Sequence, residues 1–348
     1  MIGNNGRQIQ TSRLRYIDCA KGIAIMLVII GHCIGKIQYQ TDSSLDNKVE
    51  DFINSFHMPL FFIISGMLLC FKDNWKDMDG ISIFKKKIKS LFYPYIVFSI
   101  LGLIFIYFTK DISYFYKGII DTVSLDGIGA LWFLPSLLIG ELVFIYVMKY
   151  CKKYVFLIFG AIFVVTSLIC YFANSFGYFT ITGFENYVGL GIVCRSLIAS
   201  IFILLGYYLF DLKDKINHKW IVVIVCFMVN LLLFRYNVVN LHYCVIGNTV
   251  LYYINSITGS IAYIGIAELL LSSVGFLIFY GKNSLIVFVT QGNLGILRFS
   301  EIVSAYVPVG VRWVCMVLVM VVLETVLILL INKWFRFLLR YDELKTLI

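Results

Sequence analysis

Runs of roughly 20 apolar residues alternate along the chain with short polar segments, and that is the length a helix needs to cross a bilayer core. The runs fall at 17–35, 52–71, 91–109, 131–148, 155–174, 195–210, 219–235, 251–279, 284–300 and 311–332, which predicts ten spans. The sixth and ninth are short, and the eighth is long enough to be tilted or broken. Sustained polar–apolar alternation is absent, so the spans read as helices and not as barrel strands. The first run follows a basic segment, as the core of a signal peptide would. It lacks a small-residue cleavage site and carries His32, so it is expected to stay in the mature chain.

Lys and Arg accumulate on the cytoplasmic side of membrane proteins, which makes charge an independent check on the count. With alternate loops assigned to opposite sides, 21 of the 29 cationic residues fall on one side. They are Arg7, Arg13, Arg15, Lys21, the lysines between Lys72 and Lys89, Lys149, Lys152, Lys153, Lys213, Lys215, Lys219, Lys282, Lys333, Arg336, Arg340 and Lys345. The other side holds Lys36, Lys48, Lys110, Lys117, Arg195, Arg235, Arg298 and Arg312. A missed span in the middle would scramble this alternation. The expected fold is therefore an all-α integral membrane protein, a bundle of about ten transmembrane helices with both termini cytoplasmic.

Composition agrees. Of 348 residues 60% are hydrophobic and 14% charged, with a mean hydropathy of +0.89, which excludes a water-soluble domain of useful size. No linker, repeat or low-complexity tract divides the chain, so residues 1–348 are expected to form a single domain. The net charge of +9 does not point to nucleic acid, because the cations sit in short clusters between apolar runs. The nine cysteines are scattered without a CxxC pair and read as small buried hydrophobes, implying neither a metal nor a disulfide.

Ionisable groups inside an apolar run cost several kcal/mol unless paired or hydrated, and so are candidates for function. The first span, RLRYIDCAKGIAIMLVIIGH, holds Arg15, Asp18 and Lys21 at its basic mouth and His32 beyond them. Lys21 and His32 lie eleven residues apart, almost three turns, so they share a helix face about 16 Å apart. Asp18 and Lys21 are spaced to pair. A histidine buried among Ile, Val and Leu either hydrogen-bonds a neighbouring carbonyl or, with its near-neutral titration, serves as a general base for a hydroxyl nucleophile. The second span begins FHMPLFFIISG and brings His57 to the depth of His32, where the two can meet; Pro59 starts or kinks it, and Ser65 and Gly66 offer a small surface for close packing. The run Lys85, Lys86, Lys87, Lys89 before LFYPY is either a topology signal or anionic-lipid contact, or a site for a phosphorylated cofactor. Glu141, Glu268 and Glu324 lie within spans and each needs a partner, while Arg195, Arg235, Arg298 and Arg312 read as snorkelling at helix ends.

Taken together, these residues resemble the acyltransferase-3 family of membrane acyltransferases, in its fucose 4-O-acetylase-like branch. Four segments carry the resemblance in order: a basic residue, ten residues and a histidine, met by Lys21 and His32; FHMPLFFIISG; the basic stretch ending in LFYPY; and ALWFLPSLL at 130–138. One position departs, since members often carry a histidine after a GKNSL-like opening where this chain has Gln291, which is given no proton-transfer role. The resemblance implies transfer of an acyl group, usually acetyl from acetyl-CoA, to a hydroxyl of a surface polysaccharide or lipid-linked glycan, with no metal. It implies CoA held by Arg15, Lys21, Lys85, Lys86 and Lys89, with His32 as general base and Asp18 or His57 orienting the site. Trp132 is then a candidate sugar platform, Glu141 a candidate substrate contact and Tyr95 an interface anchor. The expected setting is the inner (cytoplasmic) membrane of a bacterium, with partners limited to the acyl-CoA donor, the glycan acceptor and lipid. A transporter or flippase relaying through Glu141, Glu268 and Glu324 is the alternative, although no inverted repeat supports it.

Overall fold

A computed structural model of the chain describes residues 3–38, 44–175 and 189–339, with side chains over 15–37, 48–175 and 189–339. The side chains of Arg7, Arg13, Arg340 and Lys345 lie outside the described residues. Fifteen α-helices follow one another: α1 (Gly3–Gln38), α2 (Ser44–Asn54), α3 (His57–Phe71), α4 (Gly80–Lys87), α5 (Tyr93–Thr109), α6 (Ile112–Val123), α7 (Phe133–Tyr150), α8 (Val155–Ser175), α9 (Leu190–Leu212), α10 (Lys219–Leu233), α11 (Thr249–Leu269), α12 (Gly275–Lys282), α13 (Ser284–Thr290), α14 (Ile296–Val303) and α15 (Val309–Trp334). Among the described residues the one extended pairing is an isolated bridge between Asn240 and Val245.

Nine helical stretches among the described residues are long and apolar enough to cross a membrane. Arg15 and Phe337 mark the two ends of the described bundle, and both lie at its basic end. Lys213, which pairs with Glu268, sits 4.6 Å from the Tyr16 ring, and Tyr93 at the start of α5 donates to the Phe337 carbonyl at 2.8 Å. The shorter helices α12, α13 and α14 follow one another between Gly275 and Val303, separated at Asn283 and at Gln291–Gly295.

Here the structure settles where the long and short apolar runs are broken. The expected eighth run, 251–279, is two elements: α11 stops at Leu269, and the Ser272–Ser273–Val274–Gly275 interruption restarts the chain as α12. The expected ninth run, 284–300, is broken in turn at Gln291–Gly295, where Gly295 adopts φ +73 before α14, a conformation glycine takes without a Cβ clash. Helix α6, which hydropathy left in a loop, exposes Ile112, Tyr116, Ile120 and Val123 on one side, as a helix lying in the bilayer interface does.

Helices α1, α3, α7 and α9 form the mostly buried centre, and α8, α10 and α15 the mostly exposed periphery. Apolar side chains gain little by leaving lipid for protein, so close backbone approach holds such a centre together. The expected small-residue surface at Gly66 is where α3 meets α9: a Cβ there would overlap the Ile203 carbonyl, and one at Gly206 would overlap that of Ile63. Gly22 and Gly281 join α1 to α12 in the same way, against Leu277 and Asp18. Gly206→Ala is expected to lose about 1–3 kcal/mol of stability through this overpacking, read as a lowered melting midpoint in detergent. An unchanged midpoint would show that the helices separate freely.

Candidate active site

The basic end opens into a cavity of about 370 Å³, within the range of small-molecule sites. Its mouth is built by the segment from α4 into α5. Asp79 caps α4 by accepting from the Ser82 backbone N–H at 3.1 Å, and the Ser82 hydroxyl with that N–H holds the Asp79 carboxyl below the usual range. Residues Ile88–Phe92 then form a π turn ahead of Pro94, whose missing N–H breaks the ordinary ladder there. Lys85 and Lys89 stay exposed, Lys86 lines the mouth, and Lys87 turns inward to pair with Glu141 at 2.8 Å.

Lys21 and Lys72 complete the cationic lining; Arg15, Lys85 and Lys89 do not line the cavity. Lys21 itself is held by Asp18 at 2.7 Å. Deeper in, Ser65 donates to Glu141, so Glu141 belongs to this cavity. The inner end is closed by Phe61, Phe133 and Phe288.

Beyond those rings lies a cluster of histidines. His32, His57 and His242 are half-buried, and His32 lies within electrostatic reach of both others. His57 approaches the Ile53 carbonyl with Nδ1 at 2.8 Å. A carbonyl only accepts, so Nδ1 carries the proton and Nε2 is left with its lone pair. Gln291, fully buried between α13 and α14, reaches towards His32, with no hydrogen bond of full geometry on either amide atom.

Asp18 is not part of this cluster. It lies fourteen residues before His32 on the continuous helix α1, about 21 Å along the axis, and its partner is Lys21. The sequence expectation that it orients His32 is not met by its position.

Three elements far apart in the chain hold His242. The loop before α7 carries Leu125, Gly127 and Gly129 at positive φ and delivers Asp126, which pairs with Arg195 of α9 at 2.6 Å. Arg195 also donates to the His242 carbonyl at 2.6 Å and lies 5.3 Å from the Trp132 ring centre, and Trp132 stacks on the His242 imidazole at 5.4 Å and 9°. Burial pushes the His242 imidazole down to about 3, with Arg195 and His32 adding to it, so that ring stays neutral near pH 7.

Arg195 is therefore a fully buried structural cation and not a snorkelling end residue. Trp132, 6% exposed between His242 and Arg195, offers no open sugar platform, and Tyr95 is fully buried, donating to the Thr122 carbonyl at 2.7 Å, not anchored at an interface. Glu268 pairs with Lys219 at 2.9 Å and Glu324 accepts from Thr290 at 2.7 Å. His242 escaped the sequence reading because its segment lies between spans. The signal available was its rarity, as one of four histidines in the chain.

On the far side of the histidines a cleft of about 480 Å³ opens at the opposite end, lined by Lys36, Lys110, Arg298, Glu301, Gly129, Gly292 and Asn293. Lys36 stands one turn beyond His32 on α1 and Gly292 follows Gln291, so the lining of this cleft adjoins the cluster along the chain. Asn293 is 2% exposed and its Oδ1 has no partner. The described residues thus hold a cation-lined cavity, a histidine cluster and a second polar cleft.

Nodulation protein NolL of Mesorhizobium japonicum (strain LMG 29417 / CECT 9101 / MAFF 303099) is 45% identical over 67 residues, a match spanning 19% of this chain and 16% of NolL. No solved structure matches. The family described as the Acyltransferase domain matches residues 14–331, nearly the whole chain. The chain therefore belongs to the acyltransferase-3 family.

Proposed function

We propose that this protein is an O-acyltransferase of the cell membrane that moves acetyl from cytoplasmic acetyl-CoA to a hydroxyl of a cell-surface polysaccharide or lipid-linked glycan. The observation that carries this reading is the alignment of the cation-lined cavity with the histidine cluster along α1 and α3. Lys21, Lys72 and Lys86 meet the CoA phosphates at the basic end, which the excess of cations assigns to the cytoplasm, and the pantetheine arm runs inward past Glu141. The acceptor reaches the histidines through the opposite cleft.

His32 takes the proton of the acceptor hydroxyl as its oxygen attacks the thioester carbonyl carbon. The new C–O bond forms, the C–S bond breaks, and the proton passes to the departing thiolate, giving the ester and CoA thiol. His57, its tautomer fixed by Ile53, stands beside His32 and supports the imidazolium through its free Nε2 lone pair. Glu141 and Glu268 pair with lysines and Glu324 accepts from Thr290, on three separate helices, and no inverted repeat in the sequence supports the transporter reading.

Purified protein supplied with radiolabelled acetyl-CoA and cell-envelope glycan tests the reading: label is expected in the glycan, and its absence from every acceptor fraction counts against the enzyme. The double variant Lys86→Gln, Lys87→Gln is expected to raise the KM for acetyl-CoA about tenfold, the effect of losing roughly 1.4 kcal/mol of binding. An unchanged KM would move the donor elsewhere.

A further inference from the structure

The partition between the donor cavity and the histidine cluster consists of three phenylalanines on three elements. Phe133 and Phe288 stack with ring centres 4.6 Å apart at 10°. Phe61 closes the triangle edge-on, 4.9 Å from Phe288 and 5.7 Å from Phe133, and Phe62 stacks behind Phe133 at 5.2 Å. The three rings line the inner end of the cavity yet are 4–7% exposed, so they present their surface to it and leave little open between them.

Each ring also stands next to the chemistry. Phe61 is one turn from His57 on α3, Phe133 adjoins Trp132, and Phe288 lies three positions before Gln291. A thioester carbonyl brought to the histidines along this route therefore carries its acyl tail against these rings.

We propose that Phe61, Phe133 and Phe288 form the acyl subsite, binding the acyl group of the donor thioester and limiting it to acetyl-sized chains. The proposal rests on the reading of the cation-lined cavity as the donor site. Closely packed rings resist added volume, because interiors packed to crystal density accommodate each extra methylene only through strain. One methylene in an apolar subsite is worth about 10- to 200-fold in discrimination, so a chain two methylenes longer is strongly disfavoured.

The test uses the full-length protein in proteoliposomes with acetyl-, propionyl- and butyryl-CoA and a cell-envelope glycan fraction, reading CoA thiol release and acyl transfer. Wild type is expected to prefer acetyl over butyryl by at least about tenfold in kcat/KM, and Phe288→Ala and Phe61→Ala are expected to cut that preference by about tenfold or more. Phe288→Leu and Phe61→Leu, which keep much of the apolar volume, are expected to shift the ratio in the same direction should the alanine variants not fold. Butyryl-CoA is expected to inhibit wild-type acetyl transfer weakly, and the Phe288→Leu variant more strongly. A chain-length ratio unchanged in variants that still transfer acetyl overturns the subsite alone, as does equal use of all three donors by wild type. A wild type that turns over no acyl-CoA overturns the donor site with it.

Discussion

Replacing His32 by alanine is expected to lower acetyl transfer by at least about 100-fold while leaving the KM for acetyl-CoA within a few-fold of wild type. A positioned general base contributes about 100- to 10,000-fold, and His32 stands about 16 Å along α1 from the cation-lined mouth, too far to hold the CoA phosphates. Loss of kcat with retained donor binding is thus the signature to read, in purified protein with radiolabelled acetyl-CoA. His57→Ala is expected to fall less, since His57, with Nδ1 held by the Ile53 carbonyl, has only a supporting role in the proposed reaction. Equal transfer by wild type and His32→Ala would remove His32 from the reaction, and a deeper loss in His57→Ala would exchange the two roles.

Arg195→Ala is expected to be the most damaging substitution for the fold. Arg195 is fully buried and Asp126 5% exposed, and removing one partner leaves the other charge stranded away from water, a loss of about 3–5 kcal/mol. The His242 carbonyl loses a donor and Trp132 the cation over its face in the same step. Little monodisperse protein should be recovered after detergent extraction. Arg195→Lys should recover part of it, because an ammonium keeps the charge without the planar fork that reaches Asp126 and the His242 carbonyl together. Arg195→Met combined with Asp126→Asn should restore folding better than Arg195→Ala alone. Wild-type yield and melting midpoint for Arg195→Ala would mean that the pair holds nothing in place.

What the sequence made readable follows from how far each signal travels along the chain. A span announces itself by local apolar length, so nine crossings could be placed from hydropathy. The segment from Leu269 to Val303 was harder, because the apolar run passes through Ser272–Ser273–Val274–Gly275 without losing hydropathy while the helix is lost there. Lys21 and Asp18 pair three residues apart on one helix, as their spacing suggests. Lys87 needed the π turn at Ile88–Phe92 to face Glu141, and no apolar period encodes that rotation. Arg195 looked like an end residue because its partner Asp126 is 69 positions away, and His242 looked like loop because what docks it, Trp132 and Arg195, is contributed by other parts of the chain.

Backbone contact at Gly66 and Gly206 leaves no side chain between α3 and α9 to act as a bearing, and Gly22 and Gly281 do the same for α1 and α12. Helices seated on one another's carbonyls cannot slide without overlap, so the supports of Phe61 and of the segment leading to Phe288 are stiff. Passage from one opening to the other then falls to torsion of individual rings, a motion of a few ångströms, and not to the rocking of one half of the bundle against the other by which carriers alternate their access. In the proposed reaction a membrane so crossed stays shut to ions and water while a single acyl group changes sides.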